Sequence, residues 1–520
     1  MAELKLEKTE LNASLDFIEN FRCSVFFPQP FEIHAIRNSW DEILPILERV
    51  DLFSYSPKAA VELMTPKQKY TVRPATLLDP IDTILFTGLV FRVAPLIEQK
   101  RSLITDDRVF SFRFKQIDAG RRFTLESDWD GFVHAIKARD PRYKMVAKAD
   151  IVDFFPRIYL HRLKNAIASI CGREQEKEAI MKFLETWSRG TSYGIPVGPL
   201  ASNLLAEALL VEVDEYLLSI NADFVRHIDD YIIFGNTEAD CIRFLFQLGA
   251  RLHQTQGLSL NMAKTKPMML HDLVLDLIKP EDSDRGLRQK IIETVFSGDP
   301  YAIVDYEKLS AEQKKMIDKL NVKETIEGAL RLDIADLGGI KFVLNVLSAL
   351  RRPDLVEIVL ENLDRLFPVS DAVARFLNVF DKVEEADRLQ IGKKILEYLQ
   401  GAQYVPDFQF LWLLEPFAVS EKWNHLKSLR NIAREHRNRM IRRQAILSLG
   451  MIGDRSALLD VKSALQDTSD WEWRAIVFAC RKLPEDERDA FYRSIRIGRQ
   501  WNINTILPKA VLEYGKIATK

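Results

Sequence analysis

Alternating apolar and polar positions mark the middle of the chain as a region of short strands. Phe224–Gly235 (FVRHIDDYIIFG) carries β-branched and aromatic runs on either side of Asp229 and Asp230, which predicts a β-hairpin with carboxylates at its tip. Lys144–Val152 predicts a second strand, which leads into an acidic segment. Val109–Lys115 (VFSFRFK) alternates in the same way and predicts a third strand.

Apolar residues at helical spacing surround these strands. Residues 1–72 are expected to be mostly helical, and Ile84–Ile97 predicts a buried helix. That apolar stretch is interrupted by Arg92 and is shorter than the roughly 20 residues that cross a bilayer, so no membrane partner is expected. Further elements are predicted as helices over Pro156–Ile170, Leu200–Ile220 and Ala239–Gln254, and as a strand-like end over Gly257–Met269.

The pattern changes at Lys279–Gly286, a polar stretch rich in helix-breaking residues that predicts a linker. Beyond it the pattern is helical almost throughout. Arg442–Asp454 resembles Trp473–Leu483 at an offset of 30 residues, which lies within the range of helical-hairpin repeats. An irregular helical bundle is the alternative to a repeat array.

Length and composition fit a soluble protein with at least two cores. The chain has 520 residues, of which 47% are hydrophobic and 28% charged. Its formal net charge of −2 excludes a protein that coats nucleic acid by positive charge alone. We expect an α+β fold with a helical extension over residues 1–72, a strand-containing domain over 73–280 and an all-α, HEAT-like domain over 281–520.

The four cysteines lie far apart in the sequence. They form no paired-cysteine or Cys/His motif, so neither a zinc site nor a disulfide framework is expected. The charged N-terminal segment lacks an apolar signal core. These features predict free thiols in a reducing cytoplasm.

Asp150 and the Asp229–Asp230 pair are the candidate reactive groups. Phosphoryl transfer needs metal ions that activate an attacking hydroxyl and stabilise the leaving pyrophosphate, and Mg²⁺ prefers carboxylate oxygens. Two adjacent aspartates alone are weak evidence, because Asp106–Asp107 is another such pair and is expected to be solvated. The pair at Asp229 differs because its flanks are apolar, and charges in a half-buried hairpin are costly unless cations neutralise them.

Four segments, taken together, resemble the palm motifs of reverse transcriptases, in the order found in that family. The resemblance covers about Arg73–Met269 and implies reverse-transcriptase fingers and palm. It also implies a DNA polymerase, a nucleotidyltransferase that uses dNTPs and two Mg²⁺ ions, with Mn²⁺ as an alternative. The segments are Ala149–Ile158 (ADIVDFFPRI), Gly194–Glu207 (GIPVGPLASNLLAE), Arg226–Phe234 (RHIDDYIIF) and Gly257–Lys266 (GLSLNMAKTK).

The resemblance assigns the metal site by position. Asp150 and Asp229 match the metal-binding acids of the family, and Asp230 is their partner. Ile151 would offer its backbone carbonyl to a metal ion.

The same resemblance assigns contacts to the incoming nucleotide. Asp153 and Phe154 would flank the triphosphate and the sugar. Phe155 matches the aromatic gate that clashes with a 2′-OH and so favours deoxynucleotides; a core aromatic is the alternative. Pro196 and Val197 fall where the turn of the family touches the nucleotide.

Three basic residues are further candidates for phosphate contacts. Lys264 matches the lysine of the fourth motif, a cation for pyrophosphate, with a surface lysine as the alternative. Arg113 and Lys115 lie on the strand that precedes the palm and would grip phosphates from the fingers, unless they form a solvated strand face.

The chain departs from the family pattern at several positions. Ile228 replaces the usual alanine before the two aspartates, and His227 replaces the usual aromatic residue. Val197 stands where many template-copying enzymes have glutamine, and Pro199–Ser202 (PLAS) differs from the common sequence. These departures leave the metal acids in place and put ordinary template handling in doubt.

The long helical C-terminal half narrows the resemblance. A palm followed by about 240 helical residues is similar to the bacterial abortive-infection reverse transcriptases, such as AbiK and its prophage-encoded relatives. That family implies template-independent DNA synthesis primed by a hydroxyl of the protein, and single-stranded DNA that stays covalently attached. It also implies a closed homo-oligomer, a trimer or hexamer, in the bacterial cytoplasm. Tyr55 is a hypothesis for the priming residue.

A basic segment in the helical half suggests a surface for nucleic acid. Seven cations against Glu435 alone would give a helix a basic face suited to phosphates, with a solvated face or a subunit contact as the alternative. Trp423 lies nearby and would either stack on bases or fill a core. The cations are Lys427, Arg430, Arg434, Arg437, Arg439, Arg442 and Arg443.

Two other functions compete with this interpretation. One is a template-dependent, RNA-copying enzyme with a dedicated noncoding RNA. The other is a phage-sensing scaffold in which the palm does no chemistry, an idea that the intact aspartates oppose. Basic residues of the fingers would suit the RNA-copying enzyme, namely Arg101, Arg108, Arg113, Lys115, Arg121 and Arg122.

Overall fold

A computed structural model describes most of the chain, which divides into two compact units. The N-terminal unit comprises Met1–Ile33, Trp40–Glu62 and Pro74–Lys279, and the C-terminal unit comprises His34–Ser39, Leu63–Arg73 and Pro280–Lys520. The described residues are 3–68, 71–105, 107–117, 122–277, 291, 295, 308–318, 322–331, 337–349, 351, 353, 355–382, 384–495, 497 and 501–518.

A four-stranded antiparallel sheet forms the centre of the N-terminal unit. Its spatial order is β6-β7-β5-β8, so the hairpin β6–β7 lies beside β5. The strands are rich in β-branched and aromatic residues, which fit a half-buried pleated surface. Their bounds are β5 (Met145–Asp150), β6 (Phe224–His227), β7 (Asp230–Gly235) and β8 (Lys266–Met269).

The longest described helix of the N-terminal unit packs against four other helices. The helix α4 (Pro80–Thr105) contacts α1 (Lys8–Phe21), α7 (Leu160–Cys171), α8 (Glu174–Trp187) and α9 (Leu200–Ser219). Among the described helices, the segment Pro80–Arg101 alone is long and apolar enough to span a membrane, and 83% of its apolar window is buried. It extends well beyond the Ile84–Ile97 stretch that the sequence predicted, and its burial is that of a core helix.

Shorter elements complete the N-terminal part of the chain. The hairpins β1–β2 and β3–β4 are two-stranded sheets. A single π-helical turn, Leu252–Gln256, follows α10. The bounds are α2 (Glu32–Asn38), α3 (Trp40–Leu47), β1 (Val61–Gln68), β2 (Thr71–Leu77), β3 (Arg113–Ile117), β4 (Arg122–Glu126), α5 (Trp129–Lys137), α6 (Phe154–Arg157), α10 (Glu238–Arg251) and α11 (Leu270–Leu277).

The described part of the C-terminal unit beyond residue 308 is helical. Its last helices form consecutive hairpins, and α22 and α24 approach so closely that a Cβ at Gly450 would lie 2.7 Å from Ala479. The bounds are α12 (Ala311–Asp318), α13 (Val322–Arg331), α14 (Leu337–Ala349), α15 (Val356–Glu361), α16 (Leu363–Leu366), α17 (Ser370–Leu377), α18 (Glu385–Gly401), α19 (Asp407–Leu413), α20 (Glu415–Val419), α21 (Leu426–Glu435), α22 (Arg439–Ile452), α23 (Arg455–Ser463), α24 (Asp470–Ala479), α25 (Glu485–Ser494) and α26 (Ile506–Ile517).

The α+β fold with a helical C-terminal region is confirmed, and several predicted elements are corrected. Residues 1–72 are not all helical, because β1 begins at Val61. The predicted strand Val109–Lys115 begins only at Arg113, since Phe112 has a positive φ that interrupts an extended chain.

Two further elements differ in length from their predictions. The predicted helix Pro156–Ile170 is split after Arg157, where α6 ends, and the strand-like end Gly257–Met269 is reduced to β8. The predicted linker Lys279–Gly286, Asp106 and Arg121 lie outside the described residues.

Candidate active site

Two aspartates face each other across neighbouring strands. Asp150 is the last residue of β5 and pairs in register with Asp230, the first residue of β7. Asp150 is only 4% exposed and Asp230 is partly buried. Burial and the nearby charge of Asp150 raise the pKa of Asp230 above its usual range. The sheet therefore concentrates negative charge at one point.

The third aspartate lies in the turn of the β6–β7 hairpin. His227 and Asp230 close the hairpin as a register pair, so Ile228 and Asp229 form a two-residue turn. Tight hairpin turns favour a positive φ, which glycine or asparagine usually supplies. Here Ile228 has φ +58°, a conformation that is strained for a β-branched residue. The turn that presents Asp229 is therefore held against a local conformational preference.

Asp150 is held by the segment that follows the π-helical turn. The Lys264 ammonium donates to Asp150 Oδ1 at 2.8 Å, and Asn261 Nδ2 donates to Oδ2 at 3.0 Å. The backbone N–H of Asn261 also donates to the Asp150 carbonyl at 2.8 Å. Burial lowers the pKa of Lys264, but its bond to Asp150 and the charges of Asp150, Asp230 and Asp229 together raise that pKa overall. Lys264, predicted as a pyrophosphate contact, lies directly against a predicted metal ligand.

The carboxylates have the chemistry of a divalent-metal site, although they are not gathered into one. Within the described residues, no group of three or more His, Cys, Asp or Glu side chains is assembled closely enough to hold a metal ion. Asp150 and Asp230 nevertheless supply the hard oxygen donors that Mg²⁺ prefers. The Ile151 side chain is fully buried, and its backbone bridges to Leu260.

A Gly/Pro turn is fixed beside Phe155. The Ile195 N–H donates to the Phe155 carbonyl at 3.2 Å, and Val197 exchanges backbone and side-chain hydrogen bonds with Thr76. Gly198 has φ +127°, and a Cβ there would lie 2.2 Å from Ser24 Oγ. Only glycine fits this position, so the turn has one conformation.

The turn borders an open cleft of about 260 Å³. Pro196 and Val197, both predicted to touch the nucleotide, line it together with Trp187 and Tyr193. Arg189 lines the cleft as well and pairs with Glu62 at 3.1 Å. The cleft thus combines apolar surfaces with the Arg189–Glu62 ion pair.

Phe155 and its neighbours divide between surface and core. Phe155 is half-buried, whereas Phe154 is 3% exposed and contacts the Phe155 ring edge-on at 5.4 Å. Phe154 therefore packs in the core, and its predicted place beside the nucleotide stays a prediction. Asp153 adopts the left-handed conformation with φ +45° ahead of α6.

The two basic residues predicted to contact phosphates from the fingers are paired with acidic side chains. Arg113 donates to Glu98 at 2.5 Å and to the Val109 carbonyl, and Lys115 pairs with Glu126 at 2.5 Å. The sequence did not reveal that Glu98 neutralises Arg113, and the phosphate contact of Arg113 stays a prediction.

Other cations named for the RNA-copying alternative are also paired. Arg101 is 1% exposed and bonds to Glu207, so no nucleic acid can reach it. Arg108 pairs with Asp107 at 2.5 Å and lies near Asp223.

The basic segment Lys427–Arg443 does not form one helical face. It is divided between α21 and α22, and acids from neighbouring hairpins neutralise much of it. Arg442 pairs with Glu472 at 2.7 Å, and Arg430 pairs with Asp460. Trp423 is 1% exposed and fills a core. The predicted nucleic-acid surface is therefore largely cancelled.

Sequence reasoning missed the residues that support the site. Asn261 donates a hydrogen bond to Asp150. The charge of Lys148 on β5 offsets part of the rise in the pKa of Asp230. Beneath the hairpin, Glu207 and Arg226 are fully buried charges in apolar segments. A charged residue within an apolar segment was the signal that the sequence offered for this network, since buried charges require partners.

Comparison with known families assigns about half of the chain. Residues 66–322 match the family model described as reverse transcriptase (RNA-dependent DNA polymerase). The chain therefore carries a reverse transcriptase domain and is a nucleotidyltransferase, a DNA polymerase of the reverse transcriptase class. No curated protein sequence matches the chain.

Solved telomerase structures are among those similar to this chain. Telomerase from Candida albicans, in complex with a fragment of telomeric RNA, is 11% identical with a TM-score of 0.31, covering 72% of this chain and 69% of that one. Apo telomerase from Candida tropicalis is 12% identical with a TM-score of 0.33, covering 75% and 69%.

Proposed function

We propose that this reverse transcriptase-class polymerase extends a hydroxyl of its own chain with dNTPs, without a template, in abortive-infection defence against phage. The observation that carries the polymerase chemistry is the register that sets Asp150 opposite Asp230. Priming, covalent attachment and defence are supported by the sequence resemblance and by the long helical region after the palm. The proposed setting is the bacterial cytoplasm, with three or six copies in a closed oligomer.

Asp150, Asp229, Asp230 and the Ile151 carbonyl would hold two Mg²⁺ ions, with Mn²⁺ as an alternative. Bound there, the ions would lower the pKa of the attacking hydroxyl and stabilise the leaving pyrophosphate. The hydroxyl oxygen bonds to the α-phosphorus as the bond from that phosphorus to pyrophosphate breaks. Lys264 would turn from Asp150 toward the pyrophosphate when metal neutralises the carboxylate.

Phe155 and the Gly/Pro turn would select the nucleotide. The ring of Phe155 is half-exposed and lies beside the Pro196–Val197 segment, where it would clash with a 2′-OH. Val197 has no hydrogen-bonding side chain with which to order a template base, which favours synthesis without a template.

The template-dependent alternative is weakened by the charges of the fingers. Arg101, Arg108 and Arg113 all have acidic partners, which leaves less positive charge for an RNA. The scaffold alternative remains opposed by the aspartates themselves.

The structure does not favour Tyr55 as the primer. Its hydroxyl donates to Asp82 at 2.5 Å, and its ring stacks on Phe183. Burial and the charges of Asp82 and Asp79 raise the pKa of Tyr55 strongly, which makes its oxygen a poor nucleophile. We propose a different hydroxyl as the primer, and covalent DNA on Tyr55→Phe would support this.

The test is incubation of purified protein with Mg²⁺ and labelled dNTPs, without template or primer, followed by a denaturing protein gel. We expect nuclease-sensitive label that migrates with the protein. Asp229→Ala should abolish it, whereas Asp272→Asn, which alters an exposed carboxylate on α11, should retain it. Incorporation only after addition of an RNA template and primer would replace this proposal with the template-dependent one.

A further inference from the structure

A buried network of charged and polar side chains lies beneath the catalytic turn. Each member is at most 2% exposed, although none belongs to the proposed metal site. The members come from α4, α9, β6, β7 and the segment before β3, so residues up to 130 positions apart in sequence meet there. They are Arg101, Ser111, Glu207, Asp214, Arg226 and Tyr231.

Two members of the network form hydrogen bonds with the backbone N–H and carbonyl of Ile228. The Ile228 N–H donates to Ser111 Oγ at 2.8 Å, and Arg226 Nη1 donates to the Ile228 carbonyl at 2.9 Å. Both groups of the strained residue are thus tied to side chains below the turn. Asp229 and Asp230 follow Ile228 directly.

Glu207 joins these two grips. Its Oε1 accepts from Ser111 Oγ at 2.6 Å, and its Oε2 accepts from Arg226 at 2.9 Å and from Arg101 at 3.1 Å. Burial raises the pKa of Glu207, but the charges of Arg226 and Arg101 outweigh burial and hold that pKa below its usual range. Glu207 is therefore a carboxylate that fixes both contacts at once.

The rest of the network prevents Arg226 from moving. Its guanidinium makes two bonds to Asp214, at 3.0 and 2.6 Å, and Tyr231 donates to the same carboxylate at 3.0 Å. A forked pair of this kind fixes the plane of the guanidinium as well as its position. Buried ion pairs are often no more stabilising than apolar residues of the same volume, so stability alone does not account for this arrangement.

We propose that Glu207, Arg226 and Ser111 are positioning residues, which hold the Ile228–Asp229 turn so that Asp229 and Asp230 face Asp150. This inference rests on the proposed assignment of those aspartates to the metal site. The positioning residues touch neither metal nor nucleotide and act through the Ile228 peptide groups.

The first variant is Ser111→Ala, which removes one hydrogen bond to the turn and leaves every charge in place. Glu207→Gln removes the central charge. Glu212→Gln is the matched control, because it alters an ion-paired glutamate of the same helix whose partner is Arg251. Circular dichroism and thermal melting establish that each variant is folded.

Two readouts separate positioning from a general loss of structure. The first is binding of Mn²⁺ alone, followed by the electron paramagnetic resonance of the free ion. The second is kcat and KM for dNTP incorporation, measured under the condition, template-free or template-directed, that supports the wild-type enzyme. Failure of template-free synthesis would thus leave the positioning test intact.

We expect Ser111→Ala to weaken Mn²⁺ binding and lower kcat by about 10- to 100-fold, as for other groups that orient metal ligands. KM for dNTP should stay unchanged, since Phe155 and Val197 are untouched, and Glu207→Gln should have the larger effect. A folded Ser111→Ala protein with wild-type Mn²⁺ binding and kcat would overturn the proposal. So would an equal loss in Glu212→Gln.

Discussion

The two units use charge in different ways. In the N-terminal unit, the bonds of Glu207 and Arg226 converge on a single turn that carries Asp229. In the C-terminal unit, charge pairs such as Arg442–Glu472 and Arg430–Asp460 recur between successive helical hairpins. Each of those pairs joins residues 30 positions apart, which is the offset of the sequence repeat.

The buried charges of the N-terminal unit hold one functional turn, whereas the charge pairs of the C-terminal unit join successive helical hairpins. The Arg430–Asp460 pair is exposed, and such pairs typically contribute only about 0–1 kcal/mol each. Glu472 is buried, and Arg439 and Arg442 share its carboxylate. In the network under the turn, one carboxylate, Glu207, contacts both side chains that hold Ile228. Substitutions in the N-terminal unit should therefore affect activity more than stability, and those in the C-terminal unit the reverse.

Asp230→Asn should give the largest effect and the clearest separation of activity from stability. Removing a metal-binding carboxylate should reduce dNTP incorporation by about 10³-fold or more. The melting temperature should not fall. The pKa of Asp230 is raised on folding by burial and by Asp150, so its charged form destabilises the folded protein at neutral pH.

Metal-dependent melting sharpens the same comparison. A ligand that binds only the folded state raises its stability, so Mg²⁺ should raise the melting temperature of the wild type and do so less in Asp230→Asn. Asp272→Asn is the control. A marked drop in the Asp230→Asn melting temperature would show that this carboxylate is structural.

Gly198→Ala should give the next largest effect. The added Cβ would meet Ser24 Oγ at 2.2 Å and the Thr76 carbonyl at 3.2 Å, so the turn beside Phe155 must move. Strain of this kind costs about 1–3 kcal/mol. KM for dNTP should rise because Pro196 and Val197 move with the turn.

Gly172→Ala is the matched control for this change. Gly172 also has a positive φ, +58°, but a Cβ there meets nothing within 4 Å. It should cost about 1–2 kcal/mol of backbone strain and leave KM unchanged. Equal KM values for the two variants would show that the Gly/Pro turn does not contact the nucleotide.

These variants also mark the limit of what sequence could predict. Alternation identified the Asp229–Asp230 hairpin and the strand of Asp150, because period-2 patterns survive in a short window. The link from Ser111 to Glu207 spans 96 positions and depends on how α9 lies beneath the hairpin. The basic segment was misjudged for a related reason, since its neutralising acid Glu472 lies one repeat away.

Gly450→Ala tests the helical unit. Its Cβ would lie 2.7 Å from Ala479, so α22 and α24 must separate. Overpacking of this kind costs about 1–3 kcal/mol. Hydrogen exchange should increase in peptides from those two helices, while Mn²⁺ binding stays at the wild-type value.

Gly328→Ala, in the same unit, should stabilise the protein rather than destabilise it. A Cβ at Gly328 in α13 meets nothing within 4 Å, so alanine should stabilise the helix by about 0.5–1 kcal/mol. Faster exchange in both variants would show that the contact with Ala479 does not cause the effect of Gly450→Ala.

The smallest effect expected is a pH dependence confined to the helical unit. Burial lowers the pKa of His425, whose ring lies against Gly392 and Phe417. Because the folded pKa lies below the unfolded value of about 6.5, the unfolded chain binds the proton first as pH falls. The stability that His425 contributes is therefore present above about pH 6.5 and declines below it, by at most about 1.4 kcal/mol per pH unit. Protection against hydrogen exchange in α18 and α21, measured relative to the intrinsic exchange rate at each pH, should fall between pH 7 and 5. His425→Gln should flatten that dependence. An unchanged slope in His425→Gln would assign the effect to another group, such as His436, whose pKa burial also lowers.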